Sequence, residues 1–537
     1  MDNLNLKWVS DTIGEEYKQW RKGDIVTIQA QTGTGKTYFI KNVLVPYMDK
    51  WEHMLIVSNR VNLKRQIKID LLNKLGKEIP KDLKELDNIK TINGITILAY
   101  HQVAYLRNRQ DNGLDMLNLN YYDYIVCDEC HWFLSDASFT NTTEQAWEEL
   151  IKTRHENAIT IYISATMEDI IPMIESAYNK HIEKGLGLKN KLHKYSTGID
   201  YSYLNPYYFN KIEDIAYTIK NADIKDGKWL VFVTSIKNAE FIKDKIGNKK
   251  KVGIITSKTD KDNEDLQSII NDSKFNSDVL ICTKVLDNGV NIQDEQVKNI
   301  VIMAWDRVTF IQELGRVRID IDNPYEINLY IPKSNKKAFR SLAKTTSKKL
   351  ELIDKYSKDI KEFKVEYRNN KNKLPDDIFY VTDEGYELNK LGYGKVIKDD
   401  NFYNNIINKF SKGSNKEYSF IKEQLSWLGL EDTFNETNLL MEIKDEEEVN
   451  KLEEWLNNHI GEKLFADEQQ ELSDLIIKEL TTVGNNINYR SKKLKPKTLE
   501  TLLRDELQLN YAIKEKGNNV NPKTKKKQRW ISIGAID

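Results

Sequence analysis

Cysteine is scarce, with only Cys127, Cys130 and Cys282 in 537 residues. Three thiols cannot staple a chain of this length, which excludes the disulfide-built secreted folds and fits a reducing compartment. No stretch approaches the ~18 uninterrupted apolar residues of a membrane-spanning helix. The opening Met1-Asp-Asn-Leu-Asn-Leu-Lys-Trp8 lacks the basic and apolar segments of a signal peptide. The expectation is a cytoplasmic protein that makes no membrane contact. Net charge is missing too, since 81 Lys and Arg against 82 Asp and Glu leave −1. The whole-chain charge therefore predicts no acidic partner, and any basic surface must come from segregation along the chain. What is present is 40% hydrophobic and 10% aromatic residues, enough for proper cores in about three domains.

The most informative stretch runs from Gly23 to Tyr38. Ile25 to Ile28 is a β-branched run suited to a buried strand, and Ala30 to Thr37 follows the phosphate-loop pattern of small residue, four residues, Gly-Lys-Thr. Ala30 stands where the strict pattern has glycine. Gly33 and Gly35 let the backbone N–H groups around Thr34 turn toward phosphate oxygens, and the helix that follows adds its positive end. In that arrangement Lys36 reaches the outer phosphates and Thr37 a magnesium ion. A second apolar strand, His53 to Ser58, leads into Asn59-Arg60, and a third, Thr96 to Ala99, leads into Tyr100-His101-Gln102. Strands alternating with helices at this spacing indicate a parallel sheet. Arg60 and Gln102 then lie at strand ends, as ordinary loop residues or as contacts to a nucleic-acid backbone.

Tyr124 to Cys127 is another buried run, ending at the adjacent carboxylates Asp128 and Glu129. A magnesium nucleotide needs one carboxylate near the metal, suited to Asp128, and one to deprotonate the attacking water, suited to Glu129. The letters Cys127-Asp-Glu-Cys130-His131 also match haem attachment and contain a Cys-x-x-Cys pair. Haem attachment needs export, zinc needs further ligands at matching spacing, and a redox pair does not sit at the end of a carboxylate-bearing strand.

Asp128-Glu129-Cys130-His131 downstream of a phosphate loop resembles the DExH box of superfamily 2 helicases, and the rest of that series follows in order. Ser164-Ala165-Thr166 resembles motif III, Cys282 to Asn291 resembles motif V, and Gln312-Glu-Leu-Gly315-Arg316-Val317-Arg318 resembles motif VI. The resemblance spans residues 20 to 325. It implies two tandem RecA-like parallel-sheet domains, with ATP and Mg2+ in the cleft and a nucleic-acid strand across both. It further implies nucleotide contact at Gly289, catalytic roles for Gln312, Arg316 and Arg318, and nucleic-acid contact at Ser164, Thr166 and Thr283. The family pattern has Gly where this chain has Arg318 and Arg where it has Ile319, so which arginine is the finger stays open.

Four segments are expected: an ATP-binding domain over 1–190, a second RecA-like domain over 191–335, a helical connector and mixed region over 336–445, and a basic C-terminal domain over 446–537. Trp229 to Val233, Val252 to Thr256, Val279 to Thr283 and Asn299 to Met303 supply the second sheet. The tyrosine-rich run Tyr201 to Phe209 suits packing at a domain edge or base stacking. Ser334 to Lys373 reads as a charged, solvated connecting helix. Helical periodicity over Glu446 to His459, Asp467 to Leu480 and Pro496 to Leu509 is followed by a hairpin pairing Tyr511-Ala-Ile513 with Trp530 to Ile533 across a Gly517-Asn-Asn tip. Three helices plus a hairpin resemble a winged helix. Arg490, Lys492, Lys493, Lys495 and Lys497, with Lys523, Lys525, Lys526, Lys527 and Arg529, give it a basic face for phosphate contacts or a solvated tail. The reading is an ATP-dependent helicase or translocase that prefers DNA to RNA, in replication, repair or phage and mobile-element biology, with protein partners taken by the C-terminal region. The alternative is a nucleic-acid-binding initiator or sensor in which ATP only switches a clamp.

Overall fold

A computed structural model describes residues 4–59, 61–80, 82–111, 118–138, 142–260, 262–284, 291–368, 374–382, 385–441, 451–482, 494–507 and 509–535. Contacts divide the chain into two units, Met1–Tyr208 with Ala222–Asn438, and Phe209–Asn221 with Leu439–Asp537.

In the first unit the seven strands β1 (Ile25–Gln29), β2 (Met54–Val57), β3 (Thr91–Ile92), β4 (Ile95–Leu98), β5 (Tyr124–Asp128), β6 (Ile159–Ser164) and β7 (Leu192–Ser196) form one sheet in the order β3-β4-β2-β5-β6-β1-β7. Every pairing is parallel except β3 with β4. β2, β5 and β6 are buried at every residue because helices cover both faces, as continuous apolar strands of a parallel sheet require. One core holds Val26, Ile28, Phe39 and Val126, and the other holds Cys127, Cys130, Trp132 and Phe133. Burial pushes both thiols well above the ordinary cysteine range, as expected of packing residues. β7 lies beyond the expected boundary at 190 and pairs with β1. It is half-exposed along its length, the pattern of an edge strand.

A second sheet has the order β10-β11-β9-β12-β13-β8, formed by β8 (Leu204–Phe209), β9 (Lys228–Phe232), β10 (Val252–Ile255), β11 (Val279–Cys282), β12 (Val297–Ile302) and β13 (Ile327–Pro332). Two tandem parallel-sheet domains are thus present, as the sequence led us to expect. Pro206 is accommodated in β8 because that strand is at the edge. The tyrosine run serves packing: Tyr201 and Tyr203 are buried, the Tyr203 carbonyl accepts from Ile327 N–H, and Tyr207 stacks on Tyr330 at 5.2 Å.

Beyond β13, the Lys336–Lys358 helix packs on the Lys390–Lys409 helix, with a short hairpin of β14 (Phe379–Thr382) and β15 (Gly385–Leu388) between them in sequence and the Ser419–Trp427 helix after them. The expected solvated connector is corrected here. Phe339, Ala343, Thr346 and Ile353 form a buried stripe on the first of these helices, and Thr346 Oγ1 donates to Asp400 at 2.5 Å. The stripe has helical spacing, and the surrounding lysines hid it. This bundle is seated on both sheet domains. Leu391 joins the Cys127 core, while Trp427 meets Phe310 edge to face at 5.5 Å and Gln424 donates to the Ala304 carbonyl at 3.4 Å.

The second unit contains the helices Lys451–Asn458, Ala466–Thr482 and Pro496–Thr501, followed by β16 (Tyr511–Val520) and β17 (Lys527–Ala535), which pair antiparallel. Leu456, Leu472, Ile476, Leu499, Leu503, Ile531 and Ile533 build its core. Isolated bridges Ile460↔Ile533 and Leu464↔Ile531 set the chain after the first of these helices beside β17, and helices followed by a two-stranded hairpin keep the resemblance to a winged helix. The expected hairpin tip is corrected: Gly517 is a strand residue opposite Trp530, and the turn is at Asn521 to Lys526. Asn521 sets it, its Oδ1 accepting from Lys523 N–H at 2.8 Å while its carbonyl accepts from Lys525 N–H at 2.9 Å.

Candidate active site

β1 ends at Gln29, and the chain then turns through Gly33 (φ 97°) and Gly35 (φ 86°) into a helix that starts at Lys36. Both glycines occupy the left-handed region that other residues resist. Inside the loop, Thr34 is buried and its hydroxyl donates to the Gln31 carbonyl at 2.7 Å. Lys36 is buried as well, with Nζ 3.4 Å from both the Ala30 carbonyl and Glu129 Oε1. Thr37 follows on the first turn, half-buried.

β5 carries Asp128 and Glu129 to the same place. Asp128 is buried and its Oδ2 accepts from Ser58 Oγ at 3.1 Å, while Tyr100, stacked on Trp132 at 4.7 Å, donates to its carbonyl at 2.9 Å. Glu129 has φ 51°, uncommon for a residue with a side chain. That turn aims its carboxylate back into the cleft, where it is 4% exposed. Four side chains converge on it: Lys36 on Oε1, and on Oε2 Ser164 Oγ at 3.1 Å, His131 Nδ1 at 3.2 Å and Gln312 Nε2 at 3.4 Å. Gln312 comes from the second sheet domain, and its Oε1 accepts from Arg316 at 3.2 Å. Arg316 is buried at 2% exposure. Arg318 instead holds Asn291 Oδ1 through Nε at 2.9 Å and a terminal nitrogen at 2.6 Å. An ion pair between Glu168 and Arg307 at 2.6 Å crosses the same cleft.

The structure thus brings together Gly33, Thr34, Gly35, Lys36, Asp128, Glu129, Gln312 and Arg316. Ser164, expected on nucleic acid, is fully buried with its hydroxyl on Glu129 and, at 2.7 Å, on His131 Nδ1; it belongs to the carboxylate cluster. Thr166 is also buried, and its N–H donates to Ser164 Oγ at 3.2 Å. Gln102 turns back on its own helix, its Oε1 accepting from Ala99 N–H at 2.8 Å, half of a capping box. Thr283 is half-buried at the end of β11, its N–H on the Ile255 carbonyl. Arg60, Gly289, Arg490, Lys492 and Lys493 lie outside the described residues. Lys525, Lys526 and Lys527 are exposed around the turn of the C-terminal hairpin.

Trp8 escaped sequence reasoning. Val9 N–H donates to the Thr34 carbonyl at 2.9 Å, which sets Trp8 over the phosphate loop, and its Nε1 donates to Asp322 at 3.3 Å. A Cβ on Gly35 would lie 3.1 Å from the indole. Trp8, ahead of the first strand, carries no sequence pattern that could have marked it.

Two family models match the chain: the type III restriction enzyme res subunit over residues 7–169, and the helicase conserved C-terminal domain over residues 210–320. No curated protein matches significantly. Similar solved structures include S. cerevisiae Dbp5 bound to RNA and ADP BeF3, 16% identical over 59% of this chain and 81% of that one, with a TM-score of 0.39. A DEAD box protein from the hyperthermophile Methanococcus jannaschii is 18% identical over 62% and 89%, with a TM-score of 0.36. Mycobacterium smegmatis helicase Lhr bound to ssDNA and AMP-PNP is 13% identical over 63% of this chain and 47% of that one, with a TM-score of 0.39.

Proposed function

Because the chain belongs to the superfamily 2 helicases, and so hydrolyses ATP to act on nucleic acid, we propose that Glu129 is the general base of hydrolysis and that DNA is the polymer acted on. The convergence of Lys36, Ser164, His131 and Gln312 on one buried carboxylate carries this reading. A non-glycine residue in left-handed backbone costs on the order of 1–3 kcal/mol, which surrounding contacts must offset, and such strain gathers at functional positions.

Water attacks the γ-phosphorus as the bond to the β–γ bridging oxygen breaks, and Glu129 takes the proton. Lys36, whose Nζ lies 3.4 Å from the Ala30 carbonyl and from Glu129 Oε1, would turn from these contacts to an outer phosphate oxygen. Arg316, supported by Gln312, offsets charge on the transferring group. Ser164, His131 and Gln312 hold the carboxylate in position. The Thr37 hydroxyl and the Asp128 carboxylate are the hard oxygen donors that magnesium takes; they would hold Mg2+, which when bound neutralises phosphate charge.

The preference for DNA is supported by the winged-helix-like C-terminal unit. We place the protein in the cytoplasm, a reading supported by its three buried, unbridged cysteines, and its action in replication, repair or mobile-element biology. The same C-terminal unit, with its own core and exposed basic turn, also favours the initiator reading and could serve protein partners.

ATPase rates against single- and double-stranded DNA and RNA test the proposal. Stimulation by any single strand, strongest with DNA, is expected. Glu129→Gln should keep ATP binding and lose about a hundredfold or more in turnover, whereas Lys36→Ala should weaken binding itself. Equal rates for Glu129→Gln and the parent would refute the base assignment. A footprint on one duplex sequence without strand-stimulated turnover would favour the initiator.

A further inference from the structure

A cavity of about 800 Å3 adjoins the Glu129 cluster. Asn59 follows β2, His131 follows β5, Lys284 follows β11 and Asp306 follows β12, so it lies outside the carboxyl ends of strands from both sheets. Open parallel sheets bind their ligands on that side. Its remaining wall comes from neither sheet domain. Lys395, Lys398, Asp399 and Phe402 line it from the Lys390–Lys409 helix. Their spacing of i, i+3, i+4 and i+7 is one helix face. Tyr403 and Trp427 extend the same wall.

That helix is fixed to both sides of the cleft. Near its start, Lys390 N–H donates to Glu144 at 3.0 Å and Leu391 enters the Cys127 core, and Lys398 pairs with Asp169. Through the Ser419–Trp427 helix the bundle packs on Phe310, from the helix that carries Gln312. We infer that the Lys390–Lys409 helix is the third wall of the single-strand path, with Phe402 stacking on a base. This rests on the reading that a strand crosses the cleft between the two sheet domains.

The chemistry favours stacking over phosphate attraction as the main contribution of this wall. Lys395 is already paired with Asp399 at 2.5 Å, and Asp136, Asp169, Asp306 and Glu423 face the same space as Lys284, Arg307 and Arg316. Cations and anions nearly balance there. Phe402 is half-buried, with Tyr403 at 5.8 Å and Trp427 at 6.2 Å, so an aromatic platform is present at the cavity wall. Such platforms accept any base, since every base has a π face.

The test uses the full chain, a fluorescent oligothymidylate for affinity, and an oligonucleotide carrying 5-iodouracil for photocrosslinking. The crosslinked peptide from the parent should contain Phe402 or Tyr403. Phe402→Ala should weaken strand affinity by roughly tenfold, the loss expected of one stacked base. The strand concentration that half-saturates ATPase stimulation should rise by the same factor, with the maximal rate changing less, and Phe402→Trp should restore both. Lys395→Ala with Lys398→Ala should lower the salt slope by less than one ion per lysine. Crosslinks confined to residues before 336, with Phe402→Ala binding like the parent, would overturn the assignment and leave the helicase reading standing. A parent that binds no single strand would overturn both.

Discussion

Gly315 abuts Thr32 across the cleft: a Cβ on the glycine would lie 2.5 Å from the threonine Oγ1 and 2.8 Å from its Cβ. Thr32 belongs to the phosphate loop, and Gly315 lies between Gln312 and Arg316. Gly315 has φ −70°, which any residue adopts, so the glycine is required by space and not by backbone conformation. Thr32 is short and β-branched, with little freedom to swing aside. Gly315→Ala should therefore push motif VI away from the loop. We expect stimulated turnover to fall on the order of tenfold to a hundredfold, as misplacement by about 1 Å does, with ATP affinity within a few-fold of the parent. An alanine variant with parental turnover would show that the two segments need not touch during hydrolysis.

The two arginines of motif VI should separate cleanly. Arg316 is buried and reaches Gln312, which reaches Glu129, whereas Arg318 is engaged by Asn291. Arg316→Ala should lose turnover at near-normal ATP affinity. Arg318→Ala should act mainly on stability, through Asn291 at the end of motif V. Single-turnover rates and thermal unfolding distinguish these outcomes. The reverse pattern would make Arg318 the finger, and two unaffected rates would remove motif VI from the mechanism.

What the sequence disclosed follows from where each signal is encoded. β1, β2, β5 and β6 are buried apolar runs ending in polar loops, so strand, loop and catalytic letters could be read together. β7, Leu-His-Lys-Tyr-Ser, is a half-exposed edge with no apolar run, and β8 contains Pro206; neither carries the usual strand pattern. The left-handed turn at Glu129 and the capture of Ser164 by that carboxylate are consequences of tertiary geometry. The helical bundle depends on pairs such as Phe310 with Trp427 and Trp305 with Phe420, more than a hundred residues apart. No local pattern could supply them.

His155 gives the first domain a pH dependence. Burial, working against backbone carbonyls of Glu149 and Leu150 that accept from the ring, lowers its pKa to about 4. An unfolded histidine titrates near 6.5. Between those values the unfolded chain binds more protons than the folded one, so stability falls as pH drops from about 6.5 to about 4 and levels off below. The total is a few kcal/mol at most. Denaturant unfolding at pH 7.5 and pH 5 should show the loss, and His155→Phe should diminish it. A parental pH dependence in that variant would assign the effect elsewhere.

The basic C-terminal hairpin provides the remaining test. Lys523 is held by Glu468 at 2.8 Å, while Lys525, Lys526 and Lys527 are exposed around a turn that Asn521 fixes. A preset turn with three solvated cations suits phosphate binding, which positions a protein without specifying sequence. Replacing these lysines by alanine should weaken binding similarly across sequences. The slope of log affinity against log salt should fall by about 0.7 to 0.9 for each phosphate no longer neutralised. Cutting the chain near residue 445 should keep ATP binding and lower nucleic-acid affinity further, because the removed C-terminal segment has its own core. A change of sequence preference in the triple variant would favour the initiator. If the shortened chain binds DNA and RNA with unchanged affinity and salt dependence, the basic face is a solvated or protein-binding surface, and the preference for DNA loses its support.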